Sequence, residues 1–200
     1  MSPYARLATF SKWGVLPLSV MVSGLLVWQS SYAAFSTTTL NPSNSFASGS
    51  VVLSDDDSST GMFTATLLKP GNTGTKCIVV TSTGTLASTV ELYATGYSTT
   101  NALGTYLNMV IDEGSGGTFA SSGPTSCTGF VSSANIFTGT LASFGTTKTN
   151  FATGVGSWTP AGSGSPTRSY RITYTLDAAT PNSAQSGTAA VGFTWEAQNS

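Results

Sequence analysis

Residues 67–81 read LLKPGNTGTKCIVVT, and their reading decides the fold: they hold a turn, a strand and one of the chain's two cysteines. Lys69-Pro70-Gly71-Asn72 is a β-turn signature, because proline presets φ while glycine and asparagine tolerate the positive φ that turns often need. Cys77-Ile78-Val79-Val80 follows, with β-branched residues that suit a packed, pleated surface. A turn specified so fully by local chemistry fixes where the strand starts.

Working outward, the same pattern recurs. Towards the N-terminus, Asn41-Pro42-Ser43-Asn44 is a turn cluster, residues 45–54 lead into a strand, and residues 62–67 alternate Met62, Thr64 and Thr66 with Phe63, Ala65 and Leu67 as a further strand would. Beyond Thr81, residues 88–94 alternate Val90, Leu92 and Ala94 with Thr89, Glu91 and Tyr93, and residues 107–111 are strand-like. Residues 113–123 are a glycine and serine loop. Residues 127–135 form a short strand or an irregular stretch, and residues 137–164 show no sustained period. The end is legible again: Tyr170, Ile172, Tyr174 and Leu176 alternate with polar residues, as do Val191, Phe193 and Trp195. Strands about ten to twenty residues apart with glycine-rich turns predict an all-β, two-sheet antiparallel sandwich. Spacing alone leaves a jelly roll and an immunoglobulin-like key both open.

Composition narrows the class. Only 8% of the 200 residues are charged, against roughly 25% in an average soluble domain. That suits an exported β-protein whose surface is made polar by hydroxyls. Hydrophobic residues make up 40%, with ten phenylalanines and seven tyrosines, enough to build a core and to argue against disorder.

The start of the chain sets the expected compartment. Arg6 and Lys12 precede an apolar stretch from Trp13 to Trp28, followed by Ser30-Ser31-Tyr32-Ala33-Ala34. Basic, apolar and small-residue segments in that order are those of a signal-peptide helix cleaved between Ala33 and Ala34. An uncleaved anchor is the alternative, but the apolar run, interrupted by Pro17 and Gly24, is shorter than the ~20 residues of a spanning helix. The expected organisation is therefore a signal peptide over residues 1–33 and one sandwich domain over 34–200, secreted or at the cell surface, with membrane contact only through an uncleaved leader. Cleavage leaves five Lys and Arg against eight Asp and Glu. No basic patch remains for neutralising nucleic-acid phosphates.

Export favours a disulfide between Cys77 and Cys127 over two free thiols. Metal ligation or a redox pair competes, yet the spacing is not C-x-x-C and no histidine completes a zinc shell.

The missing histidine also excludes Ser-His-Asp and Cys-His catalysis and every H-E-x-x-H protease. No catalytic residue is assigned. A glycosidase-type carboxylate pair would have to come from Glu91, Asp112, Glu113, Asp177 and Glu196, and nothing in the sequence sets two of them at a working separation. Asp55-Asp56-Asp57 is the one polar cluster with a ligand hypothesis: three carboxylates attract hard cations such as calcium, although the spacing is not that of an EF-hand and a solvated turn is the plainer reading.

Several segments occur in the order found in the TasA/camelysin family of secreted biofilm-matrix fibre proteins, which this chain resembles. They are Tyr32-Ala33-Ala34-Phe35-Ser36, then Asn44-Ser45-Phe46-Ala47-Ser48-Gly49-Ser50-Val51-Val52-Leu53, Leu67-Leu68-Lys69-Pro70-Gly71-Asn72, Val79-Val80 with Gly84-Thr85-Leu86, and Val191-Gly192-Phe193-Thr194-Trp195. The resemblance is dense from Tyr32 to about Leu92, weak in the middle, and returns at the last strand. It implies a jelly-roll-like sandwich, export with processing by an endoplasmic-reticulum-type signal peptidase, and self-association into extracellular fibres, with other matrix proteins as further partners. In such fibres the mature N-terminal segment passes to the next subunit as a strand. By analogy the donated piece here is Ala34-Phe35-Ser36-Thr37-Thr38-Thr39-Leu40. The physics is β-augmentation, in which an open sheet edge offers unpaired backbone groups to an extended segment. Camelysin is classed as a metallopeptidase. This chain lacks histidine and any zinc motif, so that activity stands only as the alternative, beside a calcium-dependent surface binding module.

Overall fold

The computed structural model describes residues 48–119 and 125–199. The expected signal peptide, its cleavage site at Ala33 and Ala34, and the arm from Ala34 to Leu40 lie outside the described residues.

Nine strands, one short α-helix and three single-turn 3₁₀ helices are described. The strands, with the α-helix in its place among them, are β1 (Leu53–Asp55), β2 (Thr73–Ser82), β3 (Ser88–Thr99), β4 (Leu107–Ser115), β5 (Thr125–Ser126), β6 (Val131–Thr140), α1 (Leu141–Thr147), β7 (Val155–Trp158), β8 (Thr167–Leu176) and β9 (Ala189–Asn199). They form two sheets: a larger one in the order β1-β2-β8-β4-β6, with β5 beside β2, and a smaller one in the order β7-β3-β9. All pairings are antiparallel except that of β5 with β2. The chain is thus the expected all-β sandwich. From β2 to β3, β3 to β4, β6 to β7, β7 to β8 and β8 to β9 it crosses between the sheets.

The opening turn forms as its residues require. Gly71 takes φ +87°, the left-handed value a type II turn needs at its third position. Asn72 N–H donates to Lys69 O at 2.9 Å, and Lys69 N–H donates to Asn72 Oδ1 at 2.8 Å. The next residue, Thr73, begins β2.

Alternation then sets the core. Ile78 and Val80 of β2, Met109 and Ile111 of β4, and Tyr170 and Ile172 of β8 face Val90, Leu92 and Ala94 of β3 across the sandwich. Each fully buried side chain of this kind stabilises by about 1.5–3 kcal/mol relative to leaving it exposed. Cys77 and Cys127 are joined, with Cα atoms 5.2 Å apart. In the chain-entropy account, closing a loop of about 50 residues stabilises by ~4 kcal/mol.

Two segments differ from the sequence reading. Residues 62–67 alternate like a strand but form none: the neighbouring consecutive residues Met62 and Phe63 both pack inward, Phe63 edge-to-face on Tyr174 at 5.1 Å. Leu67, at φ +53°, is 93% exposed. Two successive inward side chains break the alternation that a strand requires. The unreadable stretch 137–164 holds the end of β6, then α1, then β7. Thr140 caps α1 by accepting a 3.0 Å hydrogen bond from Ser143 N–H. The helix seats Phe144 in the core against Phe137 and Phe193, with ring centroids 5.0 and 5.8 Å away.

Candidate strand-acceptor groove

The smaller sheet stops early on one side. Among the described strands β9 pairs only with β3, so its other edge carries backbone groups with no ladder partner there. The inward-facing row of β9 shows the same deficit. Val191, Phe193 and Trp195 pack against the core but are only half-buried, whereas Val90 and Leu92 beside them on β3 are fully buried. A groove of about 1130 Å³ opens next to this strand. Leu107, Met109, Ile172 and Leu176 of the larger sheet line one wall, Val191 and Phe193 line the other, and residues 61–70 pass alongside. Lys69 is the only charged residue among those that line it. Such a groove favours an uncharged occupant, since a charged one would lose hydration with little to replace it.

Sequence reasoning found the strand but missed the groove. The alternation of Val191, Phe193 and Trp195 reads as an ordinary buried face. Only the sheet order shows that no described strand pairs with its far edge.

The acidic run Asp55, Asp56 and Asp57 carries two readings from the sequence, a solvated turn and a calcium site. Among the described residues no three acidic or cysteine side chains are grouped as a cation would require. Asp56 instead fastens backbone: Oδ1 accepts from Val79 N–H and Oδ2 from Phe119 N–H, both at 2.8 Å. Asp57 Oδ1 accepts from Ser59 N–H at 2.7 Å, which shapes the turn after β1. Burial, then the hydrogen bond and charge of Asp57, raise the Asp55 carboxyl above its ordinary range. The carboxylates bind backbone amides around the turn after β1.

The five candidate carboxylates have different partners. Asp112 accepts from Arg171 Nε at 3.2 Å and Nη2 at 2.7 Å, and the guanidinium lies 4.8 Å from the Phe130 ring. Asp177 Oδ1 accepts from Ala179 N–H in a turn. Glu196 accepts from Gln198 and from the Tyr93 hydroxyl, which together hold its carboxyl below the ordinary value. Glu91 lies opposite Glu196 in the β3–β9 ladder and is in electrostatic contact with Glu113. Burial first, and the Glu113 charge second, raise the Glu91 carboxyl. A side-chain carbon added at Gly154 would lie 3.3 Å from Glu91 Oε2, and one at Gly156 would lie 3.5 Å from Glu113 Oε2. The pair therefore sits against the glycines flanking the start of β7, and neither residue lines the groove.

Comparison with known proteins adds no identity: no family model matches the chain, and a search of curated proteins finds no match.

Proposed function

We propose that this chain is a secreted structural protein of the cell surface or extracellular matrix that assembles by strand exchange. The arm Ala34-Phe35-Ser36-Thr37-Thr38-Thr39-Leu40 of one copy adds to the free edge of β9 in the next and covers its groove. The observation that carries this reading is the half-buried row Val191, Phe193 and Trp195 on an edge strand bordering an apolar groove. An added strand bonds to the unpaired backbone groups of such an edge and removes apolar surface from water. Every 100 Å² so buried contributes about 2.5 kcal/mol before ordering costs.

The occupant follows from charge and reach. The arm has no ionisable side chain, in keeping with a groove lined by a single charged residue. Seven extended residues span about 24 Å, which covers most of β9. No observation favours the calcium module or the metallopeptidase for this chain.

Size exclusion and negative-stain microscopy of protein beginning at Ala34 provide the test. Fibres or a concentration-dependent ladder are expected. Protein beginning at Asn41 should stay monomeric and should bind the peptide AFSTTTL. A parent chain that is monomeric at all concentrations, and unchanged by loss of the arm, would overturn the proposal. Folding back of the arm onto its own molecule would give that result.

A further inference from the structure

The outer edge of β2 is closed as completely as the edge of β9 is open. Backbone groups along a strand point alternately to its two sides. Ser82 donates to Pro166 O at 3.0 Å on the β8 side, while Val79 donates to Asp56 Oδ1 on the other. Thr75, Cys77 and Thr81 share the parity of Val79 and so present their amides to the outer edge. Each region of that edge has its cover. Thr81 lies opposite Ser54 of β1, Val79 is taken by Asp56, and Thr75 and Lys76 lie opposite Thr125 and Ser126 of β5.

The cover over Thr75 and Cys77 is slight. β5 has two residues and pairs in parallel, a ladder too short to hold a connecting segment by itself. What holds it is covalent, because Cys127, the residue after β5, is bonded to the fully buried Cys77. Asp56 adds a second tie by accepting from Phe119, on the segment between β4 and β5, as well as from Val79. Proteins guard exposed edges by covering them or by placing charges along them. The outward side chains here are Thr73, Thr75, Cys77 and Val79, none of them charged, and Lys76 points the other way and is buried. Cover is the main guard this edge has.

We propose that the Cys77–Cys127 disulfide is the lock on a second association edge. With the bond intact, β5 stays seated and the β2 edge is closed to a neighbour. With the bond opened, β5 lifts off and the β2 edge pairs with the same edge of a second copy, joining two large sheets antiparallel across a twofold axis. A dithiol opens it by supplying two electrons and two protons, becoming a disulfide itself and leaving Cys77 and Cys127 as thiols. The uncharged edge favours a second copy as partner, since self-pairing sets no like charges opposite each other. Arm exchange at β9 is not required.

Amide hydrogen exchange and sedimentation on protein beginning at Asn41, which lacks the arm, test the lock apart from strand exchange. In Cys77→Ala/Cys127→Ala the amides of residues 75 and 77 should exchange at least tenfold faster than in the parent. Those of Ile78 and Val80, which face β8, should be unchanged, and a dimer should appear. Should the double variant fail to fold, the parent treated with dithiothreitol under native conditions gives the same comparison. Unchanged exchange at 75 and 77, equal acceleration at all four amides, or an opened edge on a molecule that stays monomeric would each overturn the proposal.

Discussion

Glu91 shows how a single side chain records its surroundings. It sits on β3 at partial burial, with Glu113 near enough for its charge to count, and both effects favour the protonated acid; Lys148 works against them more weakly. The sign follows by linkage. The folded carboxyl binds its proton more tightly than the unfolded one, so stability falls as pH rises from the ordinary glutamate value of 4.5 through the raised folded value. The penalty is fully present above that window and absent below it. Glu91→Gln should therefore stabilise the protein at pH 7, by on the order of 0.5 kcal/mol given its partial exposure. The gain should vanish in denaturant melts run below pH 4.5. A variant no more stable than the parent at pH 7 would contradict the assigned cause. Asp56 carries the opposite lesson, because its charge is satisfied by two backbone amides. The sequence places three aspartates together but does not say whether they face one point or three. That depends on which amides the fold leaves nearby.

At the scale of elements, α1 is the piece the sequence left unreadable. Residues 141–147, LASFGTT, are too few to show a helical period, and an isolated helix of this length is unstable in water. It exists because Thr140 caps it and because Phe144 reaches the core between Phe137 and Phe193. Phe144→Ala should cost about 3–5 kcal/mol by leaving a cavity, read as a lowered denaturant midpoint with an unchanged slope. A loss below 1 kcal/mol would mean that the helix does not plug the core. Residues 62–67 are the converse: their alternation was legible, yet periodicity describes only a face, and Met62 and Phe63 turn inward in succession instead of alternating. The turn at Lys69-Pro70-Gly71-Asn72 was fully legible, since each of its bonds lies within four residues.

For the whole molecule the main feature is the contrast between two of its sheet edges, one covered by β1, β5 and Asp56, the other belonging to β9 beside its groove. If the β9 groove receives the arm of a neighbour, a charge placed in it should block assembly while sparing the fold, because Val191 lies on a half-buried edge strand. Val191→Asp should lower the polymerised fraction at least tenfold in a sedimentation assay, with the far-ultraviolet spectrum retained. Undiminished polymerisation would place the joint elsewhere on the surface.

The amino-acid sequence by itself determined the all-β class, the first turn, the alternating strands around Tyr170 and Val191, and the expectation that Cys77 pairs with Cys127. All of these rest on local backbone preference, on period-two patterning, or on there being only two cysteines to join. Tertiary structure decided which strands are neighbours, and with that the groove beside β9, the contact of Glu91 with Glu113, and the use of Asp56 as a fastener between β2 and Phe119. These depend on contacts between residues far apart in the chain, where a strand's own pattern states which face is apolar but not what lies across from it or along its edge.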